Sequence, residues 1–273
     1  MVRNFLSRVL GDATAANLMS HLRKEGDPPI RFNRAIRPTP RAPGIETQLK
    51  RFEALNISKS GRIEADFAYV GLDSVPANLP FSELFETQFA HRLGQREDGF
   101  RRLFERLNKQ RSDHPLILET GCLRLPGNWQ GDGQSTFMFD AFARSTDGMC
   151  VSVDINFQSA SSARRACSSY TSVVVNDSVS FINSLAHLSF AKQIDLLYLD
   201  SFDVDPVAPL PAAIHHIKEL LAAWPMVGPG TIVCVDDFLV GEDGGKAGII
   251  DDFFGNIAAE VLYSGYQKAW IVS

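Results

Sequence analysis

The chain has 273 residues, 45% of them hydrophobic and 22% charged, with 27 basic against 32 acidic side chains and a net charge of −5. That length suits one large domain or a domain with an appendage, and the acidic balance speaks against a broad nucleic-acid-binding face, which needs clustered Lys and Arg to displace counterions. No run approaches the ~20 apolar residues needed to cross a bilayer, and the start Met1-Val2-Arg3-Asn4-Phe5-Leu6 lacks the apolar stretch of a signal peptide, so a soluble, cytoplasmic protein with no membrane partner is expected. Cys122, Cys150, Cys167 and Cys234 form no C-x-x-C pair, which leaves zinc-knuckle and thioredoxin-like readings without support and fits a reducing compartment.

Residues 1–113 are irregular. Phe5, Leu6, Val9 and Leu10 predict a short amphipathic helix. Five of the fourteen prolines then fall between Pro28 and Pro43, interleaved with Arg31, Arg34, Arg37 and Arg41, and predict an extended connector. A solvated linker explains these arginines better than an anionic partner does. Residues 62–93 carry no single periodicity. Phe100, Leu103, Phe104 and Leu107, spaced i, i+3, i+4, i+7, predict a helix with one buried face.

From residue 114 to residue 273 the pattern alternates. Strands are predicted at Leu116–Leu118, Met149–Ile155, Ser172–Val175, Ile194–Leu199 and Thr231–Val235, with a helix over Ser135–Ala143 and another after Pro211 carrying Ile214, Ile217, Leu221 and Trp224. Short apolar runs of this kind belong to strands covered on both faces, hence to a mostly parallel, doubly wound α/β sheet of the Rossmann-like type. Val261-Leu262-Tyr263 and Ala269-Trp270-Ile271-Val272 predict a closing antiparallel pair.

In such a sheet ligands bind beyond the carboxyl ends of the strands. Here those ends are acidic: Glu119-Thr120-Gly121, Asp154, Asp177-Ser178, Asp200, and Asp236-Asp237. Any one of them could be a helix cap or a solvated acid, but five at one edge describe a site. After the first strand, Gly121 and Gly133 bracket eleven residues, and Gln134-Ser135-Thr136 opens a helix whose free N–H groups face a ligand. Asp154 follows Gly133 by 21 positions, where a carboxylate accepts from both hydroxyls of a ribose. On these residues the nucleotide is either NAD or S-adenosylmethionine.

Ile117-Leu118-Glu119-Thr120-Gly121 followed by Gly133-Gln134-Ser135-Thr136 resembles the first motif of class I S-adenosylmethionine-dependent methyltransferases. Asp154 resembles their ribose-binding acid, Asn176-Asp177-Ser178 the stretch that holds adenine, and Leu197-Tyr198-Leu199-Asp200 the fourth motif. The resemblance covers residues 114–273 and implies S-adenosyl-L-methionine held by Glu119, Thr120, Gly121, Gly133, Ser135, Thr136, Asp154, Asp177 and Ser178. The family's loop is usually shorter than this one, which bears on the contacts of Gly121 and Gly133.

Within that family the sequence is more similar to the macrocin-type, metal-dependent sugar O-methyltransferases. Asp200 and the Asp236-Asp237 pair match their metal-binding acids, and Gly244-Gly245-Lys246-Ala247 resembles their glycine–lysine–alanine segment. The resemblance implies Mg²⁺ bound through carboxylate oxygen by Asp200, Asp236 and Asp237. It also implies a hydroxyl acceptor on a saccharide or glycosylated small molecule. The family's base lies two positions after the fourth-strand acid, where this chain has Phe202, so Asp203 is the candidate base, with Asp205, His215 and His216 as rivals. Both histidines sit in an apolar-striped helix, which favours packing or surface roles for them.

Two other classes stand beside this reading. A nicotinamide oxidoreductase would want a tight G-x-G-x-x-G after the first strand and a Tyr/Lys or His catalytic pair, and neither is found. A non-catalytic binding module would have no need of five acids at one edge. The acceptor's identity, the role of residues 1–113 (a lid by analogy) and whether the chain forms a homo-oligomer are left open by the sequence.

Overall fold

Seven strands form one sheet in the order β3-β2-β1-β4-β5-β7-β6 in the computed structural model, which describes residues 64–72, 79–110, 114–187 and 193–273. Strands β1 (Leu116–Thr120), β2 (Met149–Asp154), β3 (Thr171–Val175), β4 (Leu196–Leu199) and β5 (Ile232–Val235) are parallel. The hairpin of β6 (Glu260–Ser264) and β7 (Lys268–Ile271) sets β7 antiparallel to β5. This is the doubly wound, mostly parallel sheet that the alternation predicts. The helix expected around Phe5 and the proline-rich connector lie outside the described residues.

Among the described residues, six helices of nine residues or more flank the sheet: α1 (Glu97–Gln110), α2 (Ser135–Ser145), α3 (Phe157–Ala166), α4 (Ser178–Ala186), α5 (Leu210–Ala223) and α6 (Gly248–Asn256). Local chemistry starts two of them. The Asn156 side chain accepts from the N–H groups of Gln158 and Ser159 at 2.8 and 3.2 Å, and Asp177 accepts from Ser180 N–H at 2.8 Å, satisfying donors that a helix leaves free at its start.

Successive strand residues point to opposite faces, which divides the core in two. Ile117, Cys150, Leu196, Tyr198, Ile232 and Cys234 pack with α1, α2 and α3. Leu118, Val151, Val153, Leu197, Leu199, Val233 and Val235 pack with α4, α5 and α6. The stripe on α1 is buried as predicted, and the Phe100 ring stacks on Tyr198 with centroids 5.6 Å apart. Phe104 meets Phe139 at 5.9 Å, so the described residues before 114 share a core with the sheet. Truncating either ring would cost ~3–5 kcal/mol.

The described residues 64–72 and 79–96 resist a single period because they change helix type every few residues. A 3₁₀ turn at Ala68–Val70 is followed by an α turn at Phe81–Leu84, a π turn at Phe85–Phe89 and 3₁₀ turns at Ala90–Arg92 and Gly94–Arg96. Strand β1 also runs two residues further than its apolar run, taking in Glu119 and Thr120, both fully buried. Pairing to β2 and β4 on either side satisfies their backbone despite the polar side chains. Conversely Ile155, an expected strand residue, falls just past β2 and is exposed.

The chain leaves β1 through α2 towards β2 on one side, while β4 lies on the other, so their carboxyl ends diverge into a crevice. Of the acids singled out from the sequence, Asp154, Asp200 and Asp237 line that crevice.

Candidate active site

Gly121 ends β1 with φ +76°, and a Cβ there would come within 2.4 Å of the Asp200 carbonyl oxygen, so only glycine lets the two strand ends meet. The eleven residues that follow are folded against the body of the protein. Leu123 N–H donates to Thr136 Oγ1 at 2.9 Å, and the Gln134 amide accepts from Gly127 N–H at 3.2 Å while donating to the Leu125 carbonyl at 2.9 Å. Trp129 is buried, stacks on Phe89 at 5.5 Å and donates its indole N–H to the Val70 carbonyl at 2.8 Å. Gln134 holds φ +51° to make these bonds, a left-handed conformation uncommon outside glycine.

Asp154, half-buried at the tip of β2, accepts from Cys122 N–H at 3.1 Å and from Asn156 N–H at 2.7 Å. Glu119 lies beneath the cleft, fully buried, accepting from Ser135 Oγ at 2.6 Å and from Ser152. Burial pushes its carboxyl up to about 7, against the two hydroxyls that favour the charged form.

A second buried acid, Glu219 on α5, ties several elements together. It accepts from Thr120 Oγ1 at 3.0 Å and from Ser201 Oγ at 2.6 Å, and His215 Nε2 lies 3.2 Å away. His215 in turn meets Ser178 Oγ at 3.2 Å. Its hydrogen bond with Glu219 raises the His215 pKa. His216 is buried within the helix packing, its Nδ1 2.7 Å from the Ala212 carbonyl oxygen, and burial lowers it to about 4.

Asp200, Asp236 and Asp237 converge, with one carboxylate oxygen of each within 4.8 Å of the others. Two cations already sit among them. Arg96, from the turn before α1, donates from Nε to Asp236 at 2.8 Å and from Nη2 to Asp237 at 3.3 Å, with its guanidinium 4.6 Å over the Tyr266 ring. Lys246 Nζ bridges Asp200 and Asp237, and Tyr266 donates its hydroxyl to Asp237 at 2.6 Å. Burial pushes the Asp236 carboxyl up against the pull of Arg96, while at Asp237 the Lys246 charge overcomes burial and holds the group low. At Asp200 burial raises the carboxyl, Lys246 opposes the rise, and the neighbouring acids add to it. Asp236 Oδ1 is buried with no hydrogen-bond partner.

Asp203 is exposed and clamped by Arg124, whose Nη1 reaches its two oxygens at 2.9 and 3.2 Å. Arg124 also holds Asp132 at 3.1 Å. These three residues and Asp200 border two adjoining cavities. One is a slot of about 30 Å³, lined also by Gly121, Cys122, Ser135, Asp154 and Ser201. The other, of about 390 Å³, adds Arg96, Asp237, Val204, Val240 and Tyr266.

Of the residues expected to hold the cofactor, then, Gly121, Ser135 and Asp154 line the cleft with Asp200 and Asp203. Glu119, Thr120 and Thr136 are buried behind it and hold other groups in place. Gly133 packs against Arg96 on the far side of the loop, and Asp177 caps α4. Sequence reasoning gave no role to Arg96, Arg124, Lys246, Glu219 or Tyr266. Only Lys246 carried a signal, through the glycine–lysine–alanine resemblance.

Residues 130–238 match the family described as a methyltransferase domain. No curated protein matches the chain. Among solved structures it is similar to the MycE methyltransferase from the mycinamycin biosynthetic pathway, in complex with Mg and SAH, at 17% identity and TM-score 0.48 over 71% of this chain and 54% of that one. It is similar also to CalS11, a TDP-rhamnose 3′-O-methyltransferase, at 15% identity and TM-score 0.44 over 85% and 96% of the two chains. An O-methyltransferase from Bacillus cereus in complex with SAH matches at 17% identity and TM-score 0.41 over 84% and 100%. The chain spans about half the length of MycE.

Proposed function

We propose that this chain, which carries an S-adenosylmethionine-dependent methyltransferase domain, transfers the methyl group to a hydroxyl of a small-molecule acceptor, of the saccharide or glycosylated class. The observation that carries the reading is the convergence of Asp200, Asp236 and Asp237 beside a polar cavity at the β1/β4 crevice. Apart from Val204 and Val240, the cavity is lined by charged or hydrogen-bonding side chains and Gly131, a lining that suits a polyhydroxylated acceptor better than an aromatic one. In this reading residues 114–273 are the catalytic domain, and the described residues before them cover one face of the sheet and supply Arg96 to the acids.

The chemistry of the cleft suits the donor: Gly121 lets the ends of β1 and β4 meet, and Asp154 lines the slot between them with a carboxylate for the ribose hydroxyls. Bound there, a sulfonium methyl group is already activated for attack. Gly121, Ser135 and Asp154 hold the donor, while Glu119 and Thr136 fix the helix start and the loop around it. Asp200, Asp236 and Asp237 are a hard, all-oxygen donor set suited to Mg²⁺, and they would hold the ion in place of the Lys246 ammonium that bridges Asp200 and Asp237. Such an ion would lower the pKa of an acceptor hydroxyl. Asp203, at the junction of the two cavities, takes the proton from that hydroxyl. The buried free thiols Cys122, Cys150, Cys167 and Cys234 support a reducing cytoplasm as the compartment. Among the described residues no helix is long and apolar enough to cross a membrane.

Calorimetric titration with S-adenosylhomocysteine, with and without Mg²⁺, tests the reading, and micromolar binding is expected. Asp154→Ala should weaken it by ~1.5–3 kcal/mol, the cost of lost charged hydrogen bonds. Binding of NAD in place of S-adenosylhomocysteine would overturn the reading. Asp203→Asn should cut turnover ~10²–10⁴-fold without weakening donor affinity. Near-normal turnover would remove Asp203 from the base role and pass the question to Asp205 and His215.

A further inference from the structure

The slot beside Gly121 is lined by Asp132, Asp154, Asp200 and Asp203 but by a single cation, Arg124. A methyl donor with an amino-acid tail brings a sulfonium, an ammonium and a carboxylate. The acids suit the two positive groups, and the carboxylate requires a donor of the opposite sign. Arg124 is the one charged side chain of the lining that meets this need, and a guanidinium fork matches a carboxylate in two-point geometry. At present Nη1 is spent on the two oxygens of Asp203, at 2.9 and 3.2 Å, while Nε and Nη2 hold Asp132 Oδ1 at 3.2 and 3.1 Å. The slot has room for about 30 Å³, far short of a nucleotide-sized ligand, and the Arg124–Asp203 pair borders both it and the larger cavity.

We propose that Arg124 is the receptor for the α-carboxylate of the methyl donor, and that the donor binds by exchanging that carboxylate for the Asp203 carboxylate. The exchange opens the slot and releases Asp203 towards the acceptor cavity. Donor binding therefore precedes a competent acceptor site, and an acceptor that arrives first finds Asp203 still clamped. This inference rests on the methyltransferase reading. The clamp is suited to exchange because it is open to water, with Arg124 50% and Asp203 79% exposed, so each partner is rehydrated as it lets go.

Two ligands that differ only in the amino-acid tail separate this role from a general one. S-adenosylhomocysteine carries the α-carboxylate, whereas 5′-methylthioadenosine keeps the adenosine and sulfur and lacks it. Titrated into the full chain at fixed ionic strength, Arg124→Gln should weaken S-adenosylhomocysteine about 10- to 100-fold, the loss of a charged two-point contact. It should leave 5′-methylthioadenosine within about 2-fold, since that ligand never meets the guanidinium, and its binding also reports that the variant is folded. Asp203→Asn should tighten S-adenosylhomocysteine several-fold by removing the internal competitor. Equal weakening of both ligands by Arg124→Gln, or no weakening of S-adenosylhomocysteine, would overturn the proposal while leaving the methyltransferase reading intact. Failure of the wild-type chain to bind either ligand would overturn both together.

Discussion

At the back of the cleft Arg96 and Lys246 sit against three carboxylates almost out of water, with side-chain exposures of 9% and 1%, whereas at the front Arg124, 50% exposed, holds an open partner, Asp203 at 79%, and a covered one, Asp132 at 9%. Both clusters are built of ion pairs, yet solvent gives them opposite characters. An exposed pair gains little over its hydrated partners, about 0–1 kcal/mol. A buried pair gains little over apolar residues of the same shape, but removing one partner strands a charge where nothing else neutralises it. The back cluster is thus fixed scaffolding that sets the position of Asp236 and Asp237, and at the front the Arg124–Asp203 pair is free to exchange. Burial, more than distance, separates a structural pair from a movable one here.

The largest break in this comparison is expected from Arg96→Met. Asp236, at 1% exposure, would lose its main counter-charge, and the chain should be destabilised by about 3–5 kcal/mol in denaturant titrations. Asp236 already has its carboxyl pushed up by burial, so the destabilisation should shrink as pH falls and the group takes up a proton. Arg96→Met combined with Asp236→Asn should recover part of the loss, because the stranded charge is gone. A single variant as stable as the wild type at neutral pH would show that the back cluster is no more structural than the front one.

A smaller effect sharpens the same contrast from below the sheet. His216 lies under the segment that carries Lys246, is buried, and is held neutral, its pKa lowered from 6.5 to about 4 by burial. A group whose proton affinity is lower folded than unfolded stabilises the fold above its unfolded pKa and loses that contribution as pH falls towards its folded one. Stability should therefore drop between pH 6.5 and 4, by as much as ~3 kcal/mol from this residue. His216→Gln should flatten that part of the pH–stability curve. An unchanged slope would assign the loss to other groups and show that burial at this helix does not hold the imidazole neutral.

How much of this was readable from the residues alone follows from the same difference between backbone and side-chain reach. The sheet was legible because each buried strand is a short apolar run, and the acids were legible because each follows such a run directly, as Asp154 follows Val153 and Asp236 follows Val235. Position relative to a strand end is local information. Arg96 was not legible, since it meets Asp236 across 140 residues of sequence from a turn with no distinctive pattern. Glu219 looked like one more polar position on an amphipathic helix, although it is fully buried and joins Thr120, Ser201 and His215. The long loop after Gly121 read as an insertion of unknown effect. Its fold depends on Gln134 taking a left-handed conformation and on Trp129 finding Phe89, neither of which spacing encodes.

The smallest expected stability effect belongs to Arg124, and its smallness is what gives it force. Arg124 makes two ion pairs, to Asp203 and Asp132, and a count of contacts would rank it beside Arg96. With half of its side chain in water, and with the covered Asp132 still accepting from the Asn128 amide at 2.9 Å, Arg124→Gln should change the unfolding free energy by no more than ~1 kcal/mol. The residual effect should fade further at high salt, because exposed charges are screened over about 10 Å at 0.1 M ionic strength. If Arg124 is a movable partner, this near-silent variant in thermal melts is the same one that loses S-adenosylhomocysteine affinity. A residue that held the loop after Gly121 in place would behave differently, since its removal would loosen the loop and cost stability and affinity together. A loss of 3 kcal/mol or more on Arg124→Gln would place this pair with the back cluster, and the distinction drawn from burial would not hold at this site.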